Sequence, residues 1–109
     1  SLDAPWLRHC GPEPSSVSRV AVLGGSGGSF IKQAAARQVD AYVTGDIDFH
    51  DALLAEDYGI WVIDAGHFAT ERILLAFWKE FLDEQVRTAG ASLEILIAGE
   101  KDPFSYYAG

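Results

Sequence analysis

The feature that most limits what this 109-residue chain can fold into is an alternation of short apolar runs with longer helix-like segments. The runs are Arg19-Val-Ala-Val-Leu23, Asp40-Ala-Tyr-Val-Thr44, Ile60-Trp-Val-Ile63 and Leu93-Glu-Ile-Leu-Ile97, each read as a strand. Between them lie helix-like stretches over Phe30–Gln38, Asp48–Tyr58 (stopped by Gly59) and His67–Thr88. The last carries Ile73, Leu74, Phe77, Trp78, Phe81, Leu82 and Val86 at spacings near 3, 4 and 7, the pattern of an amphipathic helix. The order β-α-β-α-β-α-β predicts an α/β fold: three layers, a mostly parallel sheet with right-handed crossovers, and helices on both faces. The strands are apolar enough for burial on both sides, and the run near Glu94 is left open to either direction.

The first 17 residues break this pattern. Pro5, Pro12 and Pro14 among Gly11, Ser15 and Ser16 read as an extended arm or linker, with Trp6 and Leu7 as anchors. The α/β unit then occupies residues 18–109. Its tail, Asp102-Pro-Phe-Ser-Tyr-Tyr107, is aromatic and is expected to pack down.

Charge narrows the partners. Asp and Glu number 16 against 8 Lys and Arg, a net charge of −8. Such a surface repels phosphate backbones and anionic lipid, so neither nucleic acid nor membrane is an expected partner, whereas a cation is attracted. No apolar run approaches the ~20 residues of a membrane helix. Cys10 is the sole cysteine, which rules out an internal disulfide and fits a reducing, cytoplasmic location. No basic-then-apolar leader is visible, and the start at Ser1 suggests a processed or excised product.

In open parallel sheets ligands bind beyond the carboxyl ends of the strands. Three loops are expected to meet there: Gly24-Gly-Ser-Gly-Gly-Ser29, Gly45-Asp-Ile-Asp48 and Asp64-Ala-Gly66. His67 and Glu71 stand four apart at a helix start and share one face. Imidazole nitrogen with carboxylate oxygen suits Zn, Mn or Fe. The positive helix terminus is expected to keep His67 neutral, and Asp64 to orient it as an acceptor. The alternative is a helix cap at Asp64 beside an ordinary surface pair. Asp46 and His50 repeat the spacing at the start of the second helix, with the same alternative. The glycine loop fails the G-x-G-x-x-G spacing and lacks the Lys of a P-loop. Its Gly25, Ser26 and Gly27 remain either a weak anion cradle or a tight turn. His9 beside Cys10, without spaced partners, does not make a metal site. No catalytic residue is assigned.

Three segments together, Val20-Ala-Val-Leu-Gly-Gly-Ser-Gly-Gly-Ser-Phe30, Tyr42-Val-Thr-Gly-Asp-Ile-Asp-Phe-His-Asp-Ala52 and Ile63-Asp-Ala-Gly-His-Phe-Ala-Thr-Glu71, resemble the Nif-three-like dinuclear-metal-centre family, whose members are often described as GTP cyclohydrolase I type 2 homologues. The resemblance implies one of two similar halves around a pair of divalent metals. It maps ligand roles onto His67 and Glu71, and places Thr44, Gly45, Asp46 and His50 near the cleft. It also implies ring-like homo-oligomers and metal-assisted hydrolysis, with GTP as a suggested substrate. The His-His pair of the family's N-terminal half has no counterpart here, so the chain reads as the C-terminal half alone, with an incomplete metal site.

Overall fold

A computed structural model describes residues 4–107; residues 1–3 of the expected arm and the last two residues of the tail lie outside that range. Over the described residues the fold is mixed α/β, with four strands and three α-helices. The strands are β1 (Arg8–Cys10), β2 (Val20–Ser26), β3 (Ala41–Gly45) and β4 (Trp61–Asp64). A 3-10 turn, Gly28–Phe30, leads into α1 (Ile31–Ala36); α2 is Phe49–Tyr58 and α3 is His67–Thr88. The sheet order is β1-β4-β3-β2. Strands β2, β3 and β4 pair in parallel, and β1 pairs antiparallel with β4.

Two expectations are corrected here. The antiparallel edge is made by Arg8–Cys10, inside the arm read as irregular, and Leu93–Ile97 forms no strand. β1 was masked by its surroundings, because a three-residue strand flanked by proline and glycine carries no periodicity to read. Leu93–Ile97 has strand composition, yet strand propensity depends on pairing and packing context, and the β4 edge pairs with β1 instead.

Local chemistry explains the helices. Asp48 caps α2 in a capping box: its carboxylate accepts from the Asp51 N–H while Asp51 accepts from the Asp48 N–H. Gly59, in the left-handed conformation, ends that helix. The core lies on one side of the sheet, where Ile31 and Ala34 of α1 and Ala55 of α2 meet Tyr42, Ile47, Ile60 and Val62. The other side of β2 is open. Ala21 and Leu23 pack on the core while Val20 and Val22 stay exposed, Val22 at 69%, so burial on both faces is not met there.

Helix α3 is as long as expected, but only Thr70 is buried along it. Its apolar stripe faces outward: Phe77 is 66% and Trp78 58% exposed. The radius of gyration, 17.0 Å, exceeds the roughly 13 Å of a closed domain of this length. The start of α3 packs on β2 and β3, while its later apolar residues stay exposed. In the tail, Tyr106 packs on Trp6 with ring centroids 5.0 Å apart, while Phe104 and Tyr107 remain exposed. No helix among the described residues is long and apolar enough to cross a membrane.

Candidate metal half-site

The carboxyl ends of β3 and β4 are neighbours, with Thr44 opposite Asp64. The residues just beyond them carry the chemistry. Asp46 adopts a left-handed backbone (φ 55°), and Gly66 before α3 has φ 87°. The left-handed region costs an ordinary residue about 1–2 kcal/mol, less for Asp, and is natural for Gly. These two turns aim Asp46 and His67 at each other: His67 Nδ1 lies 2.6 Å from Asp46 Oδ2. On the other edge of the ring, His67 Nε2 lies 3.0 Å from Glu71 Oε2, one helical turn on.

The imidazole thus stands between two carboxylates, and its pKa is raised. The Asp46 hydrogen bond is the main cause; partial desolvation opposes it, and the Glu71 charge adds to it. The helix terminus, expected to hold the His67 pKa down, does not set the direction of its shift. A half-charge of helix dipole is outweighed by two carboxylates in contact.

Asp46, not Asp64, orients His67. The Asp64 side chain is buried and accepts from the Gly66 N–H, the Ile47 N–H and the Arg8 guanidinium. Asp46 and His50 do not come together. His50 is exposed and stands edge-on to Phe49. The reason is that Asp48, not Asp46, begins α2, so the spacing of four does not span a helical turn.

The glycine loop approaches the same place. A β-bulge between Val22 and Ser26, with Gly25 at φ 81°, brings β2 against α3. A Cβ on Gly25 would stand 2.7 Å from Glu71 Oε1 and 3.3 Å from His67 Nε2. The Gly25 N–H is spent on Thr70 Oγ1 (2.8 Å) and the Gly27 N–H on the Gly45 carbonyl, so these two donors are not free to cradle an anion. The loop acts instead as a close-fitting wall. Thr44, fully buried, donates to the Gly25 carbonyl.

Thr70 was missed by sequence reasoning. Its hydroxyl accepts from Gly25 and donates to the Gly66 carbonyl at 2.8 Å, joining wall to helix start. A threonine inside an apolar helix pattern was the available signal. A cavity of about 1360 Å³ opens beside the site, between α3 and the tail, with Asp46, His67 and Glu71 on its lining along with Trp78 and Phe104.

The donor set fits a divalent cation in part. His67 Nε2 and Glu71 Oε2 supply one imidazole nitrogen and one carboxylate oxygen from the same helical turn, 3.0 Å apart and in ion-pair contact with each other. Asp46 holds the other ring nitrogen, as the outer carboxylate of a metal-bound histidine does. No group of three or more His, Cys, Asp or Glu side chains converges on one point among the described residues.

With this geometry in view, likeness to known proteins decides the family. The sequence profile of Duf34/NIF3 (NGG1p interacting factor 3) matches residues 1–103. The chain belongs to the Duf34/NIF3 family. It is 35% identical over 101 residues to the GTP cyclohydrolase 1 type 2 homolog of Clostridium acetobutylicum, covering 92% of this chain and 38% of that protein. A Staphylococcus aureus protein of the same name is 33% identical over 106 residues, with 96% and 29% covered. Among solved structures, a Bacillus cereus protein related to NIF3 superposes with a TM-score of 0.87 at 34% identity, over 97% of this chain and 29% of its own. This Duf34/NIF3 chain therefore spans well under half the length of the relatives it matches.

Proposed function

We propose that this chain is the part of a dinuclear-metal, hydrolase-like protein that contributes His67 and Glu71 to a pair of divalent cations of the Zn, Mn or Fe class, with GTP or a related nucleotide as substrate. One observation carries the reading: His67 Nε2 and Glu71 stand 3.0 Å apart while Nδ1 is engaged by Asp46. Nδ1–H donation to Asp46 leaves the Nε2 lone pair for a ligand bond and raises its basicity. A bound cation of this kind supplies a Lewis acid and lowers the pKa of attached water. Glu71 adds a charged oxygen donor, and the Gly25 wall limits how far it swings. The relatives' name supports the nucleotide class.

Two donors from one helical turn hold an ion weakly. We assign the remaining ligands to the rest of a longer protein or to a second copy of this chain. The outward apolar stripe of α3 supports such a covering partner. The test is metal content after dialysis against Zn²⁺, Mn²⁺ or Fe²⁺, for the native chain and for His67→Ala and Glu71→Gln. Uptake that falls with either substitution is expected. No uptake at saturation, or uptake indifferent to both, sinks the reading.

The same stripe favours a second reading, a non-enzymatic interaction or oligomerisation module. Sedimentation velocity separates it: concentration-dependent association without metal uptake supports the module, and a strict monomer removes self-association.

A further inference from the structure

We propose that Arg8 and Asp64 form a positioning pair that sets the geometry of Asp46 and His67, so that the N-terminal arm strand controls the half-site without touching its ligands. The inference rests on the metal-site reading for its affinity readout, but not for its structural one.

The Asp64 side chain is 3% exposed and sits at the end of β4. Its two oxygens hold two different loops. Oδ1 accepts from the N–H of Gly66, the residue before His67, at 2.9 Å. Oδ2 accepts from the N–H of Ile47, the residue after Asp46, at 3.2 Å. Arg8 closes the arrangement from β1. Its Nη2 donates to Asp64 Oδ2 and also to the Ile47 carbonyl at 2.7 Å. Both peptide groups of Ile47 are thereby fixed by the pair.

Each of the two loops so tied turns on a positive-φ residue, Asp46 at φ 55° and Gly66 at φ 87°. Neither turn is self-enforcing, and the 2.6 Å contact between Asp46 and His67 depends on both. A carboxylate serving only as a local turn acceptor would need the Gly66 N–H alone. The reach to Ile47, and the guanidinium brought 56 residues through the chain, are what a shared anchor requires. Arg8 and Asp64 both line the cavity that holds the half-site. A ligand shell this sensitive to ångström displacements works only when its supports are rigid.

The test uses the full chain with Arg8→Met, Asp64→Asn, the double variant, and Arg8→Lys, which keeps a cation able to donate to both acceptors. Two quantities are read: Zn²⁺ affinity by chelator competition, and the ¹⁵N-detected ring signals of His67 in metal-free protein, which report the Nδ1–H bond to Asp46. Arg8→Met and Asp64→Asn are each expected to weaken Zn²⁺ binding, by up to the roughly tenfold loss of a direct outer partner such as Asp46. The double variant should lose little beyond the worse single one, because the pair acts as a unit. Arg8→Lys should stay within about twofold, and the His67 ring signals should shift in the Met and Asn variants only. A lower melting temperature with unchanged affinity and unchanged ring signals overturns the proposal, leaving the pair a plain stabiliser. If the native chain binds no Zn²⁺, the metal reading fails, and the ring signals alone decide the positioning. Should Arg8→Met not fold, the milder Arg8→Gln carries the same two readouts, with the same shift expected and the same lack of change overturning it.

Discussion

His67 and Asp46 meet at 2.6 Å across the ends of two neighbouring parallel strands, although 21 residues separate them in the chain. The contact joins a left-handed turn on one loop to the first residue of the long helix on the next. Several outcomes depend on it.

Asp46→Asn is the sharpest probe. Asn tolerates the left-handed backbone, so the loop should keep its shape. A neutral amide is a weaker acceptor for the ring N–H than a carboxylate. The His67 pKa should fall toward its ordinary value, and metal affinity should drop about tenfold. Histidine titration by NMR and chelator competition check the two parts. An unchanged pKa would contradict the assigned role of Asp46.

The pH dependence has two signs. A raised His67 pKa means the metal-free fold gains stability from the protonated ring between its carboxylates. That gain is fully present below the unfolded-state pKa of about 6.5 and is lost as pH rises through the higher folded value. It should be small, because the side chain is 45% exposed. Metal uptake runs the other way: a proton on Nε2 competes with the cation, so uptake should weaken as pH falls through the folded value. Urea melts and metal titrations at a series of pH values test the opposed slopes.

Gly45 has no room for a side chain. An added Cβ would stand 2.7 Å from the Gly66 carbonyl carbon and the His67 N, both backbone. Gly45→Ala should force the start of α3 away from β3 and destabilise by about 1–3 kcal/mol. Denaturant midpoints measure it, and the His67–Asp46 ring signal should be disturbed at the same time.

Thr70→Val keeps the volume and removes the hydroxyl. The Gly25 N–H then loses its acceptor in a buried position. Leaving a buried donor unpaired costs about 1–3 kcal/mol. A change below ~0.5 kcal/mol in urea unfolding would mean that the wall and helix are held by packing rather than by this bond.

The outward stripe on α3 should bind a hydrophobic dye. Phe77→Glu with Trp78→Glu should reduce dye fluorescence and any self-association without lowering the melting point much, since both residues are more than half exposed. A large loss of stability instead would show that the stripe is packed in solution.

The sequence by itself determined the elements whose signals are local. The periodicity of the stretch from about His67 to Thr88 predicts α3, Gly59 marks the end of α2, and the i, i+4 spacing puts His67 and Glu71 on one face. Strand-rim logic brings the glycine loop, Asp46 and His67 to one end of the sheet, because parallel strands send their following loops the same way. Only the tertiary structure decided which partner each side chain takes. Asp64 and Asp46 are both acidic residues near a helix start, and no local signal says that one is buried under Arg8 while the other holds His67. The antiparallel strand at Arg8–Cys10 and the unpaired state of Leu93–Ile97 are likewise decided by pairing between segments distant in the chain. Such choices depend on contacts between residues distant in the chain, whose energies exist only once the backbone has brought them together.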